Sequence, residues 1–208
     1  LDRRVFHYGS AKHVWGTPTR RMLEDPTPRS FTHIPAMCVV RQDGEKLIEL
    51  CKSQTVRVNI KTQTVREWRK VYQPAAYVDG KIEPEKFILV GGHYDAYGGA
   101  TTCNGTGNAL MLELAKIFYK HRDKLRRSIR FVWWTGHETA KQAGSTWYLD
   151  NFWDDINENG IVYINCDSPG LKDTVRYAAY SYAELRNFFT ETIKDIRGID
   201  EEIVQKRL

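Results

Sequence analysis

The chain has 208 residues, 41% of them apolar, which is enough for one or two domains with a true hydrophobic core. Its net charge of +5 comes from interspersed acidic and basic residues, and the one modest basic cluster, residues 57–70, has no recognition motif beside it, so no nucleic-acid partner is expected. No apolar run approaches the roughly 20 residues of a membrane span and no signal segment opens the sequence, yet the chain starts at Leu1 rather than Met, which leaves localisation unknown.

Residues 1 to about 30 contain Pro18, Pro26 and Pro28 without regular periodicity and read as irregular or extended. The pattern then predicts a strand at 34–40, a turn at Asp43-Gly44, a short helix at 45–52, and alternating antiparallel strands at 56–60 and 65–72. A further extended stretch at 75–78 leads to a second turn at Asp79-Gly80. Residues 1–84 therefore read as an irregular segment followed by part of a β-rich module. After Glu83-Pro84 the grammar changes. Strands at 87–92, 129–135 and 161–166 alternate with helices at 105–121, 143–157 and 182–197, the last with a capping box at Ser181 and Glu184. Such alternation predicts an α/β domain over 85–208, a mostly parallel sheet covered by helices.

The four cysteines, Cys38, Cys51, Cys103 and Cys166, are far apart and form no C-x-x-C pair, which argues against a disulfide scaffold. Cys38 and Cys51 lie in apolar contexts and read as small packed hydrophobes.

Chemistry gathers at three predicted strand ends. The apolar run at 87–90 is followed by Gly91-Gly92-His93-Tyr94-Asp95, and then by a Gly/Thr-rich loop that ends at Asn104, where Asn104 or Thr106 would cap a helix. The strand at 129–134 ends in Thr135-Gly136-His137-Glu138, and that at 161–164 in Asn165-Cys166-Asp167. Parallel strands put their carboxyl ends on one edge of a sheet, where open α/β folds bind ligands, so His93, Asp95, His137, Glu138 and Asp167 should converge. Imidazole and carboxylate donors suit Zn²⁺ and can leave one position for a water. Asp95 reads better as the partner that orients the imidazole of His93 than as a ligand. An H-E-x-x-H motif is excluded, because Lys141 stands where the second histidine would be. Tyr94, Tyr97, Trp133 and Trp134 lie near these strand ends as pocket-lining candidates, against core packing as the commoner fate of such residues.

The ordered set GGHYDAYGG, N-G-T-G opening a helix that ends LELA, IRFVWWTGHE with Gly144-Ser145, and YINCD resembles the M28 family of zinc peptidases, aminopeptidases and glutamate carboxypeptidases among them. The likeness covers about residues 34–170. Residues 34–80 further resemble the end of a protease-associated domain. The resemblance implies a three-layer α/β sandwich that binds one or two zinc ions and hydrolyses amide bonds of peptides or amino-acid derivatives. It implies His93 and Asp167 as ligands of one zinc, with Asp95 in support. The family's metal-bridging aspartate corresponds to Cys103, which is either a thiolate ligand or only a small side chain. The family's Glu-Glu pair falls on His137 and Glu138 when counted from the strand, the register favoured because the strand fits without a gap. Counted back from Gly144-Ser145, Glu138 becomes the general base and Thr139 the second residue. Either way Glu138 or His137 takes the proton, and Glu138 or His137 could also reach the metal. The family's last ligand, a downstream histidine, has no counterpart, since no histidine follows His137 before Leu208. These departures imply an alternative, a catalytically silent scaffold or binding protein of the same fold.

Overall fold

The computed structural model describes residues 35–63, 65, 67, 70–96, 101–138, 142–170 and 180–195. The chain divides into two compact units, Leu1–Gly170 and Leu171–Leu208.

The first unit is built on a four-stranded sheet in the order β1-β3-β2-β4. Its strands are β1 (Ala75–Val78), β2 (Glu83–His93), β3 (Arg127–Trp134) and β4 (Gly160–Asn165). β2 pairs in parallel with both β3 and β4, and β1 runs antiparallel along β3. The sheet is therefore mostly parallel, with one antiparallel edge strand. Helices α1 (Arg41–Ser53), α2 (Gly107–Lys120) and α3 (Ala143–Asn159) complete the described part of this unit.

Side-chain alternation explains the layering. Successive residues of a strand face opposite sides of the sheet. Val90 of β2 with Ile129 and Phe131 of β3 packs against Met111 and Ala115 of α2, and Leu114 and Phe118 join them. Phe87 and Leu89 with Val132 and Trp134 form the opposite cluster, against Tyr148 and Ile156 of α3. Helices thus cover both faces, the α/β three-layer arrangement that continuous apolar strands such as 87–90 demand. Between β1 and β2 the chain turns across the start of β3, where Ser128 Oγ accepts the N–H of Gly80 at 3.0 Å and donates to the carbonyl of Pro84 at 2.6 Å.

Several expectations are corrected. None of the strands expected at 34–40, 56–60 and 65–72 forms among the described residues, and the Asp43-Gly44 turn lies inside α1. An extended segment becomes a strand only with a hydrogen-bonding partner. Among the described residues Val58 and Val65 are 63% and 70% exposed, so the apolar side chains of these segments are not packed against a described element. The helix expected at 45–52 does form, extended to Arg41–Ser53, with Arg41 pairing with Glu45 one turn on and Gly44 N–H bonding Val40 O at 3.0 Å. The 75–78 stretch, read with the β-rich segment, belongs to the α/β sheet through its pairing with β3. Cys38 and Cys51 are exposed rather than packed. In the second unit, α4 (Arg186–Lys194) is preceded by a tight turn at Ala183–Leu185, so Ser181 is too far back to cap it and its hydroxyl donates to the Tyr182 carbonyl at 3.3 Å.

Candidate metal centre

Each of the three parallel strands delivers chemistry at its carboxyl end. His93 is the last residue of β2, paired in register with Trp134 at the end of β3, while Gly91 pairs with Asn165 at the end of β4. His93 is only 2% exposed. Its Nδ1 lies 2.7 Å from the main-chain carbonyl of Asp95, which can only accept, so Nδ1 carries the proton. In the neutral ring this leaves Nε2 with its lone pair aimed at Cys103 Sγ, 3.3 Å away, and Asp167 Oδ1, 3.5 Å away.

Asp95 holds the site together in a way its sequence position did not suggest. Its carboxylate lies 3.6 Å from His93 Nδ1, too far for a hydrogen bond, and accepts instead the main-chain N–H groups of His137 at 3.1 Å and Glu138 at 2.9 Å. A carboxylate that receives two backbone donors positions the chain that follows β3. The imidazole is oriented by the Asp95 main chain instead. Gly136, with φ of 61°, turns the chain at the end of β3, and bonds from Gln142 N to His137 O and from Ala143 N to Gly136 O close the loop ahead of α3. Glu138 Oε1 thereby comes within 3.4 Å of Cys103 Sγ. The His137 ring stacks on that of His93, with centroids 4.3 Å apart.

Cys103 sits amid these groups, with Asp167 Oδ1 at 3.8 Å as its third neighbour. Burial, together with the nearby carboxylates of Asp167 and Glu138, pushes its thiol pKa up, against a lowering hydrogen bond from Ser168. Asn104 follows, fully buried after a cis peptide bond. Its amide nitrogen donates to the carbonyls of His93 at 3.0 Å and Cys166 at 2.8 Å, while its oxygen accepts the N–H of Ser168 at 2.9 Å. Asn104 therefore ties the end of β2 to the end of β4 and is no helix cap. The residue before α2 is Thr106, which makes no capping bond and donates its hydroxyl to the Thr102 carbonyl at 2.8 Å. The close approach leaves no room for larger residues at Gly92, where a Cβ would stand 2.5 Å from the Cys166 carbonyl.

The structure thus brings together His93, Cys103, His137, Glu138 and Asp167. Two sets have donor atoms mutually within 4.8 Å: His93, Cys103 and Asp167, and His93, His137 and Glu138. The aromatic candidates fare differently. Trp134, 5% exposed, is a core residue whose indole N–H donates to the Tyr163 hydroxyl at 3.0 Å, because strand alternation turns it onto the α3 face. Trp133 packs against the opposite cluster. Tyr94 is exposed, its hydroxyl donating to the Tyr72 carbonyl at 2.7 Å, and Tyr97 lies outside the described residues. Sequence reasoning missed the tying role of Asn104, for which its place directly after Cys103 in a loop between two strand ends was the only signal.

A chemical fit to a divalent ion follows from the spacings. Four donors placed tetrahedrally at zinc bond lengths of about 2.0 to 2.3 Å stand about 3.3 to 3.8 Å apart. Here His93 Nε2, Cys103 Sγ and Asp167 Oδ1 stand 3.3, 3.5 and 3.8 Å apart, spacings that fit three corners of such a shell, and Glu138 Oε1 lies 3.4 Å from the sulfur.

The family model for peptidase family M28 matches residues 75–207. The chain belongs to peptidase family M28. Among curated relatives, it is 26% identical over 146 residues to a probable glutamate carboxypeptidase VP8 of Zea mays, covering 69% of this chain and 20% of that protein. It is 28% identical over 107 residues to transferrin receptor protein 2 of Homo sapiens, covering 50% and 13%. Over 133 residues it is 28% identical to transferrin receptor protein 1 of Gallus gallus, covering 60% and 17%. The chain thus spans a fifth or less of the length of these relatives. A crystal structure of a peptidase M28 precursor from Shewanella amazonensis aligns with a TM-score of 0.49 at 19% identity, over 66% of this chain and 32% of that one.

Proposed function

We propose that this M28 chain carries the metal centre of a zinc-dependent hydrolase of amide bonds in peptides or amino-acid derivatives. The observation that carries the reading is the convergence at three strand ends of two overlapping donor sets, His93 with Cys103 and Asp167, and His93 with His137 and Glu138, each with donor atoms mutually within 4.8 Å. His93 and Asp167 would hold the zinc. Zinc, when bound, would polarise the scissile carbonyl and lower the pKa of a coordinated water. The chain's own groups supply the rest. The Asp95 carbonyl fixes the His93 tautomer, and the Asp95 carboxylate holds the main chain of His137 and Glu138. Glu138 takes the proton from the attacking water and passes it to the leaving amine, while His137 braces the His93 ring by stacking. The name of the maize relative, a probable glutamate carboxypeptidase, agrees with amide hydrolysis.

A second reading has its own support. Relatives named as receptors match this chain, and a cysteine stands where the resemblance places the family's bridging aspartate, both of which fit a catalytically silent binding protein. Metal analysis of the purified protein combined with an amide-substrate library separates the two. The hydrolase reading expects stoichiometric zinc and turnover, both lost in His93→Ala. Zinc content and activity untouched by that substitution would reject it, and no zinc together with no turnover in the wild type would favour the silent scaffold.

A further inference from the structure

We infer that Cys103 is a ligand of the ion in this site, so that His93, Cys103 and Asp167 form a three-donor face with the fourth position left open. The inference rests on the metal-centre reading above and adds a donor to it. A cysteine that only filled space would be surrounded by apolar groups. Cys103 Sγ instead has the His93 imidazole at 3.3 Å, the Glu138 carboxylate at 3.4 Å and the Asp167 carboxylate at 3.8 Å. A single ion at bonding distance from His93 Nε2 and Asp167 Oδ1, 3.5 Å apart, finds the sulfur within reach without rearrangement. Cys103 is partly accessible, so an ion can approach it.

The binding step balances simply. As the sulfur–metal bond forms, the thiol proton leaves to solvent and the ligand becomes a thiolate. A thiolate among imidazole and carboxylate donors selects borderline and soft ions such as zinc, cobalt or cadmium over magnesium, calcium or manganese. It also leaves Glu138 free of any need to complete the shell. Three protein ligands and one open position are the pattern of catalytic rather than structural zinc.

Cobalt(II) offers a readout independent of turnover. Added to the metal-free purified protein, it should give a near-ultraviolet sulfur-to-cobalt charge-transfer band in the wild type. Both Cys103→Ser and Cys103→Asp should lack the band. Zinc affinity of the serine variant should fall at least as far as the roughly 10- to 100-fold caused by losing a group that merely supports a ligand. Stoichiometric cobalt without the band, or a band that survives in Cys103→Ser, overturns the assignment and leaves the hydrolase reading standing. A protein that takes up no metal overturns both. If the Cys103 variants fold poorly, the wild-type band should survive in Cys38→Ser/Cys51→Ser, whose exposed thiols lie outside the site, and its loss there overturns the assignment.

Discussion

At the scale of single residues, the amide of Asn104 is the clearest case of a side chain that holds a site without entering it. Its three hydrogen bonds reach the main chain at His93, Cys166 and Ser168, and all are inaccessible to water on the Asn104 side. Removing the amide strands two carbonyls and one N–H. Each buried group left unsatisfied costs about 1 to 3 kcal/mol, so Asn104→Ala should lose about 3 kcal/mol or more of stability, read as a fall in the urea midpoint. A change under about 1 kcal/mol would mean that water replaces the amide and the tie is dispensable. The histidine needs the same kind of support. His93 presents Nε2 to its neighbours because the Asp95 carbonyl accepts the hydrogen bond that keeps the proton on Nδ1.

At the scale of elements, β2 is tied at its start by Glu83, across a register shift from Phe87, and its end packs closely against β4 at Gly92. Glu83 accepts hydrogen bonds from Arg126 Nε at 2.7 Å and Arg127 Nε at 3.0 Å, joining the starts of β2 and β3. The Arg126 hydrogen bond chiefly, with the positive charges of Arg126 and Arg127, holds the Glu83 carboxyl below its ordinary value of 4.5, against the opposing effect of desolvation. A depressed folded-state pKa gives stability that is present above the unfolded value and fades as the pH falls through the folded one. Glu83→Gln should therefore lie below the wild type in urea midpoint at neutral pH. The two curves should converge as the pH drops below 4.5. High salt should narrow the gap at neutral pH, because Arg126 and Arg127 are exposed and Glu83 is only partly buried. A gap that is the same at every pH would show that packing, not charge, is responsible.

At the scale of the whole molecule, three strand ends share one edge only because the sheet is parallel where it counts. β3, β2 and β4 are neighbours in that order, so their carboxyl ends carry Glu138, His93 and Asp167 to one place. Under the zinc-hydrolase proposal, an ion that bridges three ends stabilises the native state alone. Binding of that kind adds RT ln(1 + [L]/Kd), about 4 kcal/mol when zinc stands at 1,000 times its Kd. Chelator should lower the thermal midpoint and added zinc restore it, followed by differential scanning fluorimetry. A midpoint indifferent to chelator and zinc alike would remove the ion from the account. Among the described residues no helix is long and apolar enough to cross a membrane.

Period and composition by themselves determined the alternation of strands and helices after residue 83, because buried parallel strands need continuous apolar runs and their covering helices need one apolar stripe. Motif order also identified the strand ends that carry His93, Glu138 and Asp167, since loops after parallel strands are where such folds place chemistry. Local pattern failed at 56–60 and at the described residues of 65–72, because alternation states which face could be buried and is silent on whether a partner strand exists to bury it. Only the tertiary structure decided that Trp134 is core, that the Asp95 carboxylate serves the β3 loop while its carbonyl serves His93, and that Asn104 ties β2 to β4. Those outcomes depend on distances between segments remote in sequence, and no local periodicity encodes them.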